Sequence, residues 1–165
     1  PIYGELIGRF LRGELGGVDQ VDPYIVALLY AGDRADMAPQ IRKWQEEGKV
    51  VIVDRYVYSN IGYQCATIAD KEARLRLNDW ILHLEYEVNK IPRPDVSLFL
   101  DVPFSFTKSR LTEQREGDDR SYLNGATDIH EQSLSLQERV REVYIESAER
   151  DSELVVVDCS NDEGE

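Results

Sequence analysis

The sequence predicts an α/β fold, a doubly wound parallel sheet with helices on both faces. Hydrophobic runs at 50–53, 96–102 and 154–157 read as strands, and stretches with apolar residues at helical spacing separate them. The first run is four consecutive β-branched residues with no polar partner face, which suits a central strand buried on both sides. It ends in Asp54-Arg55-Tyr56, and ligands of open α/β sheets bind at the carboxyl ends of strands.

With 165 residues the chain fits one domain with a substantial core. Thirty-two acidic against nineteen basic residues give a net charge of -13, which disfavours nucleic acid or an anionic membrane as partner. Recognition of a small anion then falls to the few arginines that line its pocket. Cys65 and Cys159 form neither a metal-ligand spacing nor a disulfide framework, and no apolar run approaches a membrane span, so a soluble protein of a reducing cytoplasm is expected.

In order, Ile2, Leu6, Ile7, Phe10 and Leu11 mark an amphipathic helix that ends at the glycines of ELGG. Asp22-Pro23 is a helix start, an N-cap followed by proline, with Ile25, Leu28 and Leu29 as core candidates. Pro39 is expected to break or kink that helix, leaving a second segment at 40–47 that stops at Gly48. After the 50–53 strand, Ser59, Asn60, Tyr63 and Gln64 crowd four hydrogen-bonding side chains just downstream of Asp54-Arg55.

A helix over 70–89 is capped by Asp70, with Leu75, Trp80, Leu84 and Val88 among its apolar positions and His83 an ordinary polar residue. Pro92 and Pro94 precede the second strand, and 105–114 is again helical. The stretch from Arg115 is too polar and glycine-containing to pack, so a mobile loop is expected over 115–128. Helix 132–149 leads to the third strand.

A strand-end carboxylate can hold a hydrated Mg²⁺, and an adjacent guanidinium can grip a phosphate with two parallel hydrogen bonds, so Asp54-Arg55 suggests phosphoryl transfer. An ion pair capping a strand is the plainer reading of the dipeptide alone. Tyr30 and Arg34 lie four apart and share a helix face, where a ring and a guanidinium could stack on a planar base and bond its edge. Ordinary surface packing explains such a pair equally well.

The segments LLYAGDR (28–34), DRYVYSNIGYQ (54–64), PDVSLFLDV (94–102) and DIHE...ERVREVY (128–144) together resemble the thymidylate kinases, of the P-loop nucleoside monophosphate kinase class. The resemblance implies a P-loop kinase-like fold and transfer of phosphate from ATP to dTMP with Mg²⁺, giving dTDP for dTTP synthesis. Tyr30 matches the aromatic that stacks on thymine, Arg34 the arginine at the base edge, and Leu11 a wall of the base pocket. Arg55 would hold the dTMP phosphate and Asp54 would sit near the metal through water. Asn60, Tyr63 and Gln64 would lie against the nucleotide, with Tyr63 where a ribose 2'-hydroxyl is excluded.

The 115–128 loop resembles the family's lid over ATP, with Arg115 and Arg120 as its cations and Glu131 at the far hinge as a weak metal candidate. The resemblance also implies a homodimer, for which Leu75, Trp80 and Leu84 are candidate contacts. These 165 residues contain no G-x-x-x-x-G-K-[ST], the loop that cradles ATP phosphates. The expectation is a single nucleotide-kinase domain whose first strand and phosphate loop lie upstream, so that these residues alone are inactive. A deoxynucleoside kinase and a nucleotide-binding module without kinase activity are the alternative readings.

Overall fold

A computed structural model describes residues 2–107 and 134–160. Helix α1 (Ile2–Leu11) closes in a turn at Gly13, whose φ of 77° is left-handed. Asp22 starts α2 (Pro23–Glu46): its Oδ1 accepts from the Tyr24 N–H at 2.8 Å, and Pro23, which has no N–H to satisfy, takes the first turn. The helix ends at Gly48, whose φ of 73° suits a glycine C-cap, and the Lys49 N–H returns to Trp44 O at 3.0 Å.

Pro39 does not break α2, one of the two outcomes expected of it. The helix runs through it as one element, because Ala38 and Ile41 on either side are buried and anchor both halves. Its core stripe is also rotated from the expected one. Val26, Ala27 and Ala31 are buried, whereas Ile25 and Leu28 are exposed and Leu29 is half-buried. Small residues face inward here since α3 (Val57–Cys65) packs closely against α2.

α3 is the hub. Seven of its nine residues are buried, and it packs against α2, α4 (Lys71–Leu82) and α5 (Leu134–Arg150). Against α5 the approach is too close for a side chain at Gly62: a Cβ there would sit 2.7 Å from Cε2 of Tyr144, whose ring stacks on Phe99 at 4.4 Å. Asp70 caps α4 by accepting from Ala73 N at 2.7 Å.

The expected 70–89 helix changes register at its end. His83–Val88 is π-helical, with the Asn89 N–H reaching back to Leu84 O at 2.9 Å. The inward stripe is Leu77, Ile81, Glu85 and Tyr86, whereas Leu75, Trp80 and Leu84 are half-buried and Val88 is exposed.

Strands β1 (Ser97–Asp101) and β2 (Leu154–Asp158) pair in parallel, Ser97 opposite Leu154 and Asp101 opposite Asp158. Among the described residues this two-stranded sheet is the only one. Residues 50–53, expected as its centre, form no strand, and Val50 and Ile52 are each 91% exposed. β-branched residues favour a pleated chain, but a ladder needs a neighbouring backbone to pair with. Residues 104–107 begin the helix expected from 105, and the 115–128 loop lies outside the described residues.

Tyr144 cannot yield easily, held between Phe99 and α3. Gly62→Ala is expected to lower unfolding free energy by about 1–3 kcal/mol in urea titration, the usual cost of overpacking a filled core.

Candidate active site

α2, α3 and the turn between 51 and 56 enclose a pocket of about 490 Å³. Tyr30, Asp33, Arg34 and Met37 line it from α2, while Ser59, Asn60, Tyr63 and Gln64 line it from α3. Each set recurs at three- and four-residue steps, so each is one helix face. Val51 to Tyr56 close the remaining side, with Asp54 and Arg55 exposed at the turn into α3.

Seven of the residues singled out in the sequence thus share one pocket: Tyr30, Arg34, Asp54, Arg55, Asn60, Tyr63 and Gln64. Leu11 does not line it. It is buried with Phe10 and Val26 in a cluster against which Tyr30 packs, so it supports the ring from behind. Arg115, Arg120 and Glu131 lie outside the described residues.

Arg55 has a φ of 63°, a left-handed conformation uncommon for a residue with a side chain. Its guanidinium lies 5.3 Å from the centre of the Tyr63 ring, and the Tyr63 hydroxyl donates to Gln137 Oε1 at 3.4 Å. α3 opens without a side-chain cap, leaving its first N–H groups at the positive end of the helix dipole beside Arg55.

Behind the wall lies a buried polar network that sequence reading did not find. Glu85, in the π-helical turn, has no exposed surface, and its carboxylate accepts from Arg34 Nε at 3.0 and 3.1 Å and from Arg34 Nη2. Asn60 Nδ2 donates to Glu85 Oε1 at 3.3 Å and to Ala27 O at 3.0 Å. A carboxylate four residues beyond Ile81 and eight beyond Leu77, on one apolar stripe, is the signal that could have found it. Asn60 Oδ1 and Gln64 Nε2 are buried without a hydrogen-bond partner, one acceptor and one donor from pocket-lining side chains.

Two buried phenols near the site, Tyr56 and Tyr144, are not bases. Burial, then the nearby Glu85 carboxylate, pushes the Tyr56 phenol up to about 12, and its hydroxyl donates to Pro92 O at 2.9 Å. Burial also raises Tyr144, partly offset by its hydrogen bond with Ser59. The Cys65 thiol, pushed up to about 12 by burial, is no nucleophile near neutral pH.

The described residues hold no group of three or more potential metal ligands. A single exposed carboxylate, Asp54, fits Mg²⁺, which keeps several waters and takes one or two carboxylates plus substrate phosphates. No helix of the described residues is long and apolar enough to cross a membrane.

A family model described as thymidylate kinase matches residues 2–165. A probable thymidylate kinase of Thermococcus kodakarensis is 30% identical over 165 residues, covering 97% of this chain and 71% of the relative. The Pyrococcus abyssi counterpart is 33% identical, covering 95% and 68%. The thymidylate kinase of Mycobacterium tuberculosis is 30% identical, covering 90% and 69%. Among solved structures, thymidylate kinase from Candida albicans superposes with a TM-score of 0.68 at 23% identity, covering 96% of this chain and 67% of that one. That likeness places the fold in the P-loop kinase-like α/β class.

Removing Arg34 would leave the Glu85 carboxylate buried without its cation. Arg34→Ala is expected to lower stability by about 3–5 kcal/mol, the typical cost of breaking a buried ion pair from one side. Denaturant unfolding compared with Arg34→Lys checks it: the lysine variant retains a charge and should lose less.

Proposed function

The chain belongs to the thymidylate kinase family, and from that premise we propose that its protein transfers the γ-phosphoryl of ATP to dTMP, giving dTDP and ADP. A phosphate oxygen of dTMP attacks the γ-phosphorus in line as the bond to the β-phosphate oxygen breaks and ADP leaves. The nucleophile is already anionic, so no strong base is needed. That agrees with the phenols of Tyr56 and Tyr144, which are pushed up rather than down.

The single observation that carries the acceptor assignment is the lining of the pocket, which joins aromatic Tyr30 and paired Arg34 on α2 with Arg55 beside the uncapped start of α3. A thymine ring suits the first, by stacking and a guanidinium donor to its edge, and a phosphate suits the second. Tyr63, next to Arg55, is then assigned to the sugar, where an added 2'-hydroxyl would lose water against a ring without gaining a partner. Gln64 supplies a polar contact nearby.

Asp54 is assigned to orient the acceptor end and to hold Mg²⁺ through water. When bound, Mg²⁺ neutralises charge on the phosphates. Arg115 and Arg120 are assigned to a lid over 115–128 that brings cations to the transferred group and excludes water. A doubly wound sheet, a homodimer and a cytoplasmic setting belong to the same proposal and are supported by family membership. A family match over residues 2–165 leaves the deoxynucleoside kinase and non-catalytic readings unfavoured.

The intact protein, assayed with Mg·ATP and dTMP, is expected to form dTDP and ADP. Arg55→Ala should lower kcat about a hundredfold or more, the scale of losing a charge-stabilising contact to the reacting group. A loss confined to KM would mean that Arg55 binds the ground state alone.

A further inference from the structure

Glu85 takes no part in the reaction described above, yet burial alone does not explain it. Its carboxylate touches two side chains that line the pocket, Arg34 and Asn60, without lining the pocket itself. It continues the buried stripe of Leu77 and Ile81 at four-residue steps into the π-helical turn.

The consequence falls on Asn60. A carboxamide can present either its oxygen or its nitrogen, and the two orientations differ little in shape. Here the nitrogen faces two acceptors, Glu85 Oε1 at 3.3 Å and the Ala27 carbonyl at 3.0 Å. Turning it over would set an amide oxygen against two acceptors, so the orientation is determined by Glu85 and Ala27 together. The oxygen is left buried and unpartnered. Glu85 likewise holds Arg34 by Nε and Nη2, fixing the plane of a guanidinium that has five N–H donors to give.

We propose that Glu85 is a positioning residue that sets base selectivity, holding Arg34 as donor and the Asn60 oxygen as acceptor side by side for a ring edge. This rests on the dTMP reading. A thymine or uracil edge offers a carbonyl acceptor at position 4 beside an N–H donor at position 3, and complements the pair. Cytosine reverses both, offering an amino donor beside a bare ring nitrogen. Arg34 would then meet a donor and Asn60 an acceptor, and a buried polar mismatch of this kind is discriminated strongly.

Glu85→Gln keeps the size of the side chain but replaces one acceptor with an NH₂ group. Arg34 Nε donates to both carboxylate oxygens, so whichever way the new amide lies its NH₂ meets an Arg34 N–H; Asn60 stays held by Ala27 O, and the guanidinium loses its fixed plane at the base. The experiment measures kcat and KM for dTMP and for dCMP with the intact protein and with Glu85→Gln. The wild type should prefer dTMP, and in the variant the ratio of kcat/KM for dTMP over dCMP should fall about tenfold or more, chiefly through a higher KM for dTMP. An unchanged ratio with a lower kcat, or with less folded protein, would make Glu85 a structural ion-pair partner and overturn the inference. A wild type that phosphorylates neither nucleotide would instead overturn the dTMP reading, and this inference with it. Should Glu85→Gln not fold, a crystal structure of the wild type with dTMP decides. Arg34 still paired with Glu85 and Asn60 against the base supports the inference, and Arg34 drawn off Glu85 overturns it.

Discussion

A carboxylate without exposed surface is the constraint on which this structure turns. Taking a charge out of water costs several kcal/mol after relaxation, and the cost is offset only when good hydrogen bonds fill its lone pairs. Glu85 meets that condition by drawing N–H groups from α2 and α3 to the π-helical turn. Apolar contacts among these helices are non-directional and tolerate sliding. The N–H groups required by Glu85 do not, so the relative register of the three elements is tied to one atom group. The pocket walls inherit that register, because Arg34 and Asn60 belong to both the network and the wall.

Around this pair the packing follows a division of labour by residue size. Small residues on α2, Ala27, Ala31 and Gly32, let neighbouring side chains come close. Tyr3 of α1 lies over Gly32, where a Cβ would fall 2.3 Å from its ring. Gly62 of α3 gives Tyr144 of α5 the same access. α3 is thereby clamped between elements while one of its faces stays open to the pocket. A short helix with nearly every residue buried makes a rigid base for the polar side chains it presents, which is the kind of support a binding site needs.

Much of this was legible in the sequence where local chemistry decides the outcome. The Asp22 and Asp70 caps, the glycine stop after α2 and the two paired strands lie within a residue or two of expectation. The gathering of Asp54, Arg55, Asn60, Tyr63 and Gln64 was legible too, because eleven residues with a helix among them cannot separate far. What escaped depends on tertiary partners. Residues 50–53 have strand composition but pair with no strand among the described residues. Pro39 is carried inside α2 by burial on both sides of it. Glu85 keeps the period of Leu77 and Ile81, but a charged residue does not read as core beside the more conspicuous Leu84 and Val88. Leu11 was assigned to the pocket wall, but its burial with Phe10 and Val26 places it one layer back.

The backbone of Arg55 bears on how this protein would respond to stabilisation. A left-handed conformation costs a residue with a Cβ about 1 kcal/mol or more that glycine escapes. A selection for thermal resistance alone would therefore favour glycine at this position, and would discard the guanidinium at the mouth of the pocket in doing so. Directed evolution of the fold has an inexpensive improvement available at the one site where accepting it strips the cation from beside α3, so robustness and the phosphate capture proposed for Arg55 pull in opposite directions at a single codon.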